Sequence, residues 1–141
     1  MELCNEYEQT ILFSTKTDQL YDVPVNPKFH KFQLSITHTS DDKYLETHAP
    51  NFDKRLSFYN ELLDKGFNVG IRIQPFIPNI TDITEIIRLF NDATHFTIES
   101  IKLVPGNPIN NELKKYIKTH NNDWTQKGLL NLKTEYKVWL Y

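Results

Sequence analysis

The chain has 141 residues, 39% hydrophobic and 24% charged, with a formal charge of −2, which suits one globular domain with its own core. Such a balance weighs against the whole-molecule basic footprint of nucleic-acid binders, and no apolar run approaches the ~20 residues that span a bilayer. Cys4 is the single cysteine, which excludes an internal disulfide and any cysteine-built metal site made by this chain alone.

The N-terminus, Met-Glu-Leu-Cys-Asn-Glu, lacks the basic and apolar pattern of a secretory leader, so the cytoplasm is the default location. Charge is uneven along the chain. From Glu112 onward six lysines face three acids, a mild excess that reads as a solvated helix face, with nucleic-acid contact as a weakly supported alternative.

Short β-rich runs alternate with amphipathic helices. The first strand is expected at 10–16 (TILFSTK) and the second at 31–37 (KFQLSIT). A short helix at 41–47 and a turn at Ala49, Pro50 and Asn51 precede a helix over 53–65, whose Leu56, Tyr59, Leu62 and Leu63 share a face. Gly66 is a natural helix stop. The third strand is expected at 67–74, ended by Pro75. Thr81 and Asp82 supply N-cap chemistry for a helix carrying Ile83, Ile86, Ile87 and Phe90. A fourth strand follows at 95–102. C-terminal helices are expected within 108–141, one of them near 110–118 and a last one carrying Leu132, Tyr136, Trp139 and Leu140.

Strands joined by connections this long are parallel, with right-handed crossovers. The fold class is therefore α/β: about four βα units of a partial parallel (β/α) barrel, with residues 1–141 as one domain. No glycine-rich dinucleotide or phosphate loop is present, which disfavours an open doubly wound sheet and an aldolase-like phosphate binder.

The strand faces carry the functional reading. Phe32, Leu34 and Ile36 alternate with Gln33, Ser35 and Thr37. Phe67, Val69, Ile71 and Ile73 alternate with Asn68, Gly70, Arg72 and Gln74, and Phe96 and Ile98 alternate with Thr97 and Glu99. One face is apolar, to receive helices, and the other is polar on every strand. A packed barrel core would place Val, Ile and Leu inside, so a polar interior suits a large polar ligand. Lys16, Ser35, Thr37, Arg72, Gln74 and Glu99 lie toward the C-terminal strand ends, where parallel α/β proteins bind ligands.

Four segments then carry a resemblance: STK at 14–16, FQLSIT at 32–37, LETHAPNFDKRL at 45–56 and GFNVGIRIQPFIPNITD at 66–82. In this order and spacing they resemble the radical S-adenosylmethionine superfamily, in its spore photoproduct lyase-like branch. The resemblance implies S-adenosylmethionine as cofactor, cleaved reductively at a four-iron four-sulfur cluster to a 5′-deoxyadenosyl radical. It further implies a three-cysteine loop holding that cluster. This sequence lacks such a loop, since Cys4 cannot supply several thiolates.

The chain is accordingly expected to be the C-terminal half of such a barrel, cut at both ends and inactive alone. Its expected partner is an N-terminal half, from the same gene or a separate chain, that brings the cluster. The resemblance assigns Lys16 to the cofactor's carboxylate, Ser35 to its ribose or methionine end, and Arg72 and Gln74 to the adenosine side of the pocket. No metal-binding residue is assigned.

Plainer roles stay open beside these. Lys16 also reads as an exposed strand-end lysine, Ser35 as a small packing residue, and Arg72 as the ion-pair partner of Glu99. Glu46 and Arg55 read as a surface or interhelix ion pair. His38 and His48 lack a third metal ligand, and no nucleophile elbow supports a serine hydrolase. Trp124 and Trp139 read as helix packing. The alternative function is a non-catalytic remnant or binding module with a barrel-like pocket.

Overall fold

A computed structural model describes residues 3, 6–20, 22–39, 46, 48–77, 80–100 and 139–140, with Ser100 and the last two by backbone alone. The expected helices at 41–47 and 110–118, the basic stretch after Glu112 and Trp124 lie outside these residues, Glu46, Trp139 and Leu140 excepted.

Among the described residues there are five strands and two helices. They are β1 (Ile11–Thr15), β2 (His30–Ile36), α1 (Phe52–Asp64), β3 (Asn68–Phe76), α2 (Ile83–Leu89), β4 (Phe96–Ser100) and β5 (Trp139–Leu140). All neighbouring strands pair in parallel, and their order in the sheet is their order in the chain. The α/β class and the parallel sheet thus agree with the sequence.

Local chemistry sets the helix limits. The Asn51 side chain accepts from Lys54 N at 3.1 Å, and Asp82 accepts from Glu85 N at 2.9 Å, so each helix begins on a side-chain cap. At the end of α1, Gly66 adopts φ +81°. Gly66 N donates to Leu63 O at 2.8 Å and Phe67 N to Leu62 O at 3.0 Å, a Schellman termination that an L side chain at Gly66 would strain.

Three expectations need correction. Between β1 and β2 the described residues form no helix, so the first unit is a strand followed by a loop. Pro75 does not end the third strand. β3 runs on through a cis Gln74–Pro75 bond to Phe76, and the pairing with β4 shifts register between Ile73 and Phe76, where proline has no N–H to give. Trp139 and Leu140 are not helical but pair with Thr97 and Ile98 as β5. The open edge of β4 offers backbone partners that helical periodicity alone cannot match.

The core lies on one face of the sheet. Phe32, Leu34, Ile36, Val69, Ile71, Ile73 and Ile98 point to the same side and pack against Phe58, Tyr59 and Leu62 of α1 and Ile83 and Ile86 of α2. Phe90, just past α2, sits edge-on to Phe52 at 6.0 Å and to Tyr59 at 4.9 Å, tying the helices together. Burial, with the Asp92 charge, pushes the Tyr59 hydroxyl up to about 12, as expected for a phenol in an apolar layer.

On the opposite face Gly70 has a steric role. A Cβ built there would lie 2.2 Å from His95 Cε1, so the imidazole rests directly on the glycine backbone. Gly70→Ala should therefore cost about 1–3 kcal/mol by expelling the ring. The double variant Gly70→Ala/His95→Ala should recover part of that loss in a double-mutant cycle of urea unfolding; strictly additive losses would show that the two residues do not compete for space.

Candidate functional site

Because side chains alternate along a strand, the residues opposite the core form a polar layer. Cross-strand register places Ser35 beside Arg72, and Arg72 beside Thr97. Toward the strand C-termini, Glu99 gathers the layer: Arg72 Nε donates to its Oε1 at 2.7 Å, and Gln74 Nε2 donates to its Oε2 at 3.0 Å. The Glu99 side chain is 9% exposed and that of Arg72 28%.

Lower in the layer, hydrogen bonds run through Gln33. Its Nε2 lies 3.5 Å from both His95 Nε2 and Thr97 Oγ1, while Ser14 Oγ donates to its Oε1 at 3.4 Å. On the far side of the ring, Thr94 Oγ1 is 3.0 Å from His95 Nδ1 and donates to Val69 O at 3.2 Å.

A second charged group caps β1 and β2. Lys16, one residue past β1, donates from Nζ to Glu46 Oε1 at 2.6 Å. Arg55 reaches over from α1, donating from Nη2 to Glu46 Oε2 at 2.6 Å and from Nη1 to Ser35 O at 3.0 Å. His38 Nε2 lies 3.8 Å from the same Oε2. The Thr37 hydroxyl is 3.2 Å from Glu46 Oε1 and 3.0 Å from Gln74 O. The one hydroxyl proton serves only one of these acceptors at a time, so Thr37 stands between two groups, Lys16 with Glu46 on one side and Gln74, Glu99 and Arg72 on the other.

Glu46 is the hub, with its side chain 5% exposed. Burial works against its ionisation, but the hydrogen bonds and charges of Arg55 and Lys16 prevail and hold the carboxyl below its ordinary value of 4.5. A carboxyl lowered on folding stabilises the protein above its unfolded value, and that contribution fades as pH falls through the folded value. Stability should therefore drop as the pH falls from about 4.5, and Glu46→Gln should flatten this acid limb in urea midpoints measured against pH. An unchanged limb would remove Glu46 as its cause.

The sequence-assigned residues fall into this frame with some changes. Arg72 and Gln74 share Glu99, so the ion pair of Arg72 with Glu99 is present. Ser35 is buried beside Arg72. Lys16 stands apart from them, in contact with Glu46. The Glu46–Arg55 pair is present but buried, with Arg55 2% exposed, where a surface or interhelix pair was expected. Sequence reasoning gave no role to Thr37 between the two groups, to His95, or to Gly70, although a glycine inside a strand signals a close approach.

Spare donors remain for a ligand. Glu46 takes one N–H of the Lys16 ammonium, whose side chain is 44% exposed, and an ammonium carries three. Arg72 uses Nε and Nη2 on Glu99, leaving Nη1. These groups fit a ligand carboxylate and ribose hydroxyls. An iron–sulfur cluster does not fit, because the whole sequence has one cysteine. A separate cleft of about 460 Å³ lies along β1, lined by Leu12, Phe13, Leu20, Val23, Val25 and Phe32, and none of Lys16, Ser35, Arg72 and Gln74 borders it.

No family model matches the chain, and neither a curated protein nor a solved structure does. Among the described residues no helix is long and apolar enough to cross a membrane.

Proposed function

We propose that this chain forms one side of an S-adenosylmethionine pocket, as the C-terminal half of a radical S-adenosylmethionine barrel of the spore photoproduct lyase-like type. The supporting observation is the row of polar groups from Lys16 to Arg72, with Thr37 between its two halves, along the C-terminal ends of sequentially ordered parallel strands. Parallel strands in chain order, with both helices on one face, are what a slice of a (β/α) barrel needs. Lys16 then meets the methionine carboxylate as a charge-assisted donor, and the spare Arg72 donors meet the adenosine end. Ser35 sits between them, and Gln74 holds Glu99 in place.

S-adenosylmethionine supplies radical chemistry when an iron–sulfur cluster reduces it, and the protein supplies binding and orientation. The cluster would come with a cysteine-bearing half, from the same gene or a separate chain. No step at the cluster belongs to these residues.

The test is equilibrium dialysis of the full chain against S-adenosylmethionine, followed by coexpression with a cysteine-bearing half and assay of cofactor cleavage. Saturable binding, with cleavage in the joined halves, is the expected result. No binding in either form would sink the proposal. Binding without cleavage would favour the second reading, a non-catalytic binding module. That reading draws on the mutual pairing of Arg72 with Glu99 and of Lys16 with Glu46, which gives the layer a structural purpose without any ligand.

A further inference from the structure

We infer that Glu46, clamped by Arg55, is a positioning residue that aims the Lys16 ammonium at the carboxylate of the bound ligand. The inference rests on the S-adenosylmethionine reading above and adds to it two residues to which sequence gave only a structural pair.

Three observations carry it. Lys16 lies beyond the end of β1, on a flexible four-carbon stem, and Glu46 is the partner that fixes its tip, at 2.6 Å. A free lysine tip must lose rotamer freedom to meet a ligand, whereas a tethered one has already lost it. Glu46 is itself immobilised, because Arg55 holds its other oxygen at 2.6 Å while anchored to the Ser35 carbonyl at 3.0 Å. The anchor is thus built into the β2 backbone. Finally, exposure is graded: Arg55 is 2% exposed, Glu46 5% and Lys16 44%. Only the last member of the relay reaches solvent.

Charge agrees with this. Lys16 and Arg55 against Glu46 leave one net positive charge, and the buried carboxylate absorbs the arginine. The surplus sits on the exposed ammonium and suits a single carboxylate. His38 Nε2 lies 3.8 Å from Glu46 Oε2 and its side chain is 3% exposed, so it does not share the exposure of the ammonium.

The test compares S-adenosylmethionine with its decarboxylated form, measuring affinity for each by dialysis. The unaltered chain should prefer the carboxylated compound by roughly tenfold or more, the worth of one charge-assisted hydrogen bond. Lys16→Met should abolish the preference. Glu46→Gln should reduce it several-fold while circular dichroism reports an intact fold. If Glu46 serves folding alone, Glu46→Gln will lower the unfolding midpoint and leave the preference whole, which overturns the inference.

A second measurement needs no variant. Lys16 acylation by a mild amine reagent, read by mass spectrometry, should be slower than that of Lys31 and slowed further by the carboxylated compound alone. Equal protection by both compounds would overturn the role of Lys16 and with it the inference. If the unaltered chain binds neither compound, the S-adenosylmethionine reading itself fails. Binding both equally leaves nucleoside recognition standing and removes the relay alone.

Discussion

Arg55→Met should lower the stability of the folded chain by about 3–5 kcal/mol, the usual cost of removing one partner from a buried ion pair. Arg55 is 2% exposed and satisfies two acceptors at once, Glu46 Oε2 and the Ser35 carbonyl. Without it, Glu46 keeps Lys16 as its close ionic partner, and that lysine is 44% exposed and screened by water. The carboxylate and the carbonyl both lose a charge-assisted donor in a dry place. Urea unfolding should show a lower midpoint with an unchanged slope, the signature of a pure stability change. The double variant Arg55→Met/Glu46→Met should regain much of the loss, since the one charge it leaves without its partner, Lys16, is 44% exposed to water. A loss below about 1 kcal/mol would place the pair among ordinary surface salt bridges.

Phe32→Ala should cost about 3–5 kcal/mol, in line with large aromatic truncations in packed cores. Phe32 is 3% exposed and joins three other rings. It stacks on Phe13 of β1 at 5.1 Å and meets Phe67 edge-on at 5.1 Å and Phe58 of α1 at 6.3 Å. Its loss opens a cavity where the first two strands and the first helix meet, and surrounding rings cannot close it without leaving their partners. Leu12→Ala, at a side chain 53% exposed on β1, should change stability by about 0.5 kcal/mol or less. Thermal unfolding of the two variants side by side checks the contrast, and equal losses would mean that Phe32 is not the hub its contacts imply.

Much of the fold was legible because hydrophobic alternation reports which face of a strand is buried. Phe32, Leu34, Ile36, Val69, Ile71 and Ile73 all fall where alternation puts them, and Gly66 and Asp82 mark helix ends by their own backbone and capping chemistry. Pro75 misled because its missing N–H breaks one ladder bond, which a register shift absorbs without ending the strand. Trp139 and Leu140 misled because two residues of strand carry no periodicity of their own. For the site, the pairing of Arg72 with Glu99 was readable from neighbouring strands sharing a face. The Glu46 hub was not, because its partners come from parts of the chain up to 30 residues away. Side chains from just past β1, from just past β2 and from α1 meet there, and sequence spacing is silent on such three-way meetings.

The chain-order arrangement of the strands also shapes how the sheet is assembled. Joining β2 to β3 and β3 to β4 closes loops of modest length, so these contacts can form early and reinforce one another. The pairing of β4 with β5 is different, because it brings Trp139 back to Thr97 over a separation similar to that between β2 and β3, yet for a ladder of only two residues. Its closure costs about as much entropy as that of β2 with β3 and returns far less bonding. Amide protons should therefore exchange slowest in β2 and β3, which are flanked on both sides, and fastest at β5, whose pairing opens without disturbing the rest.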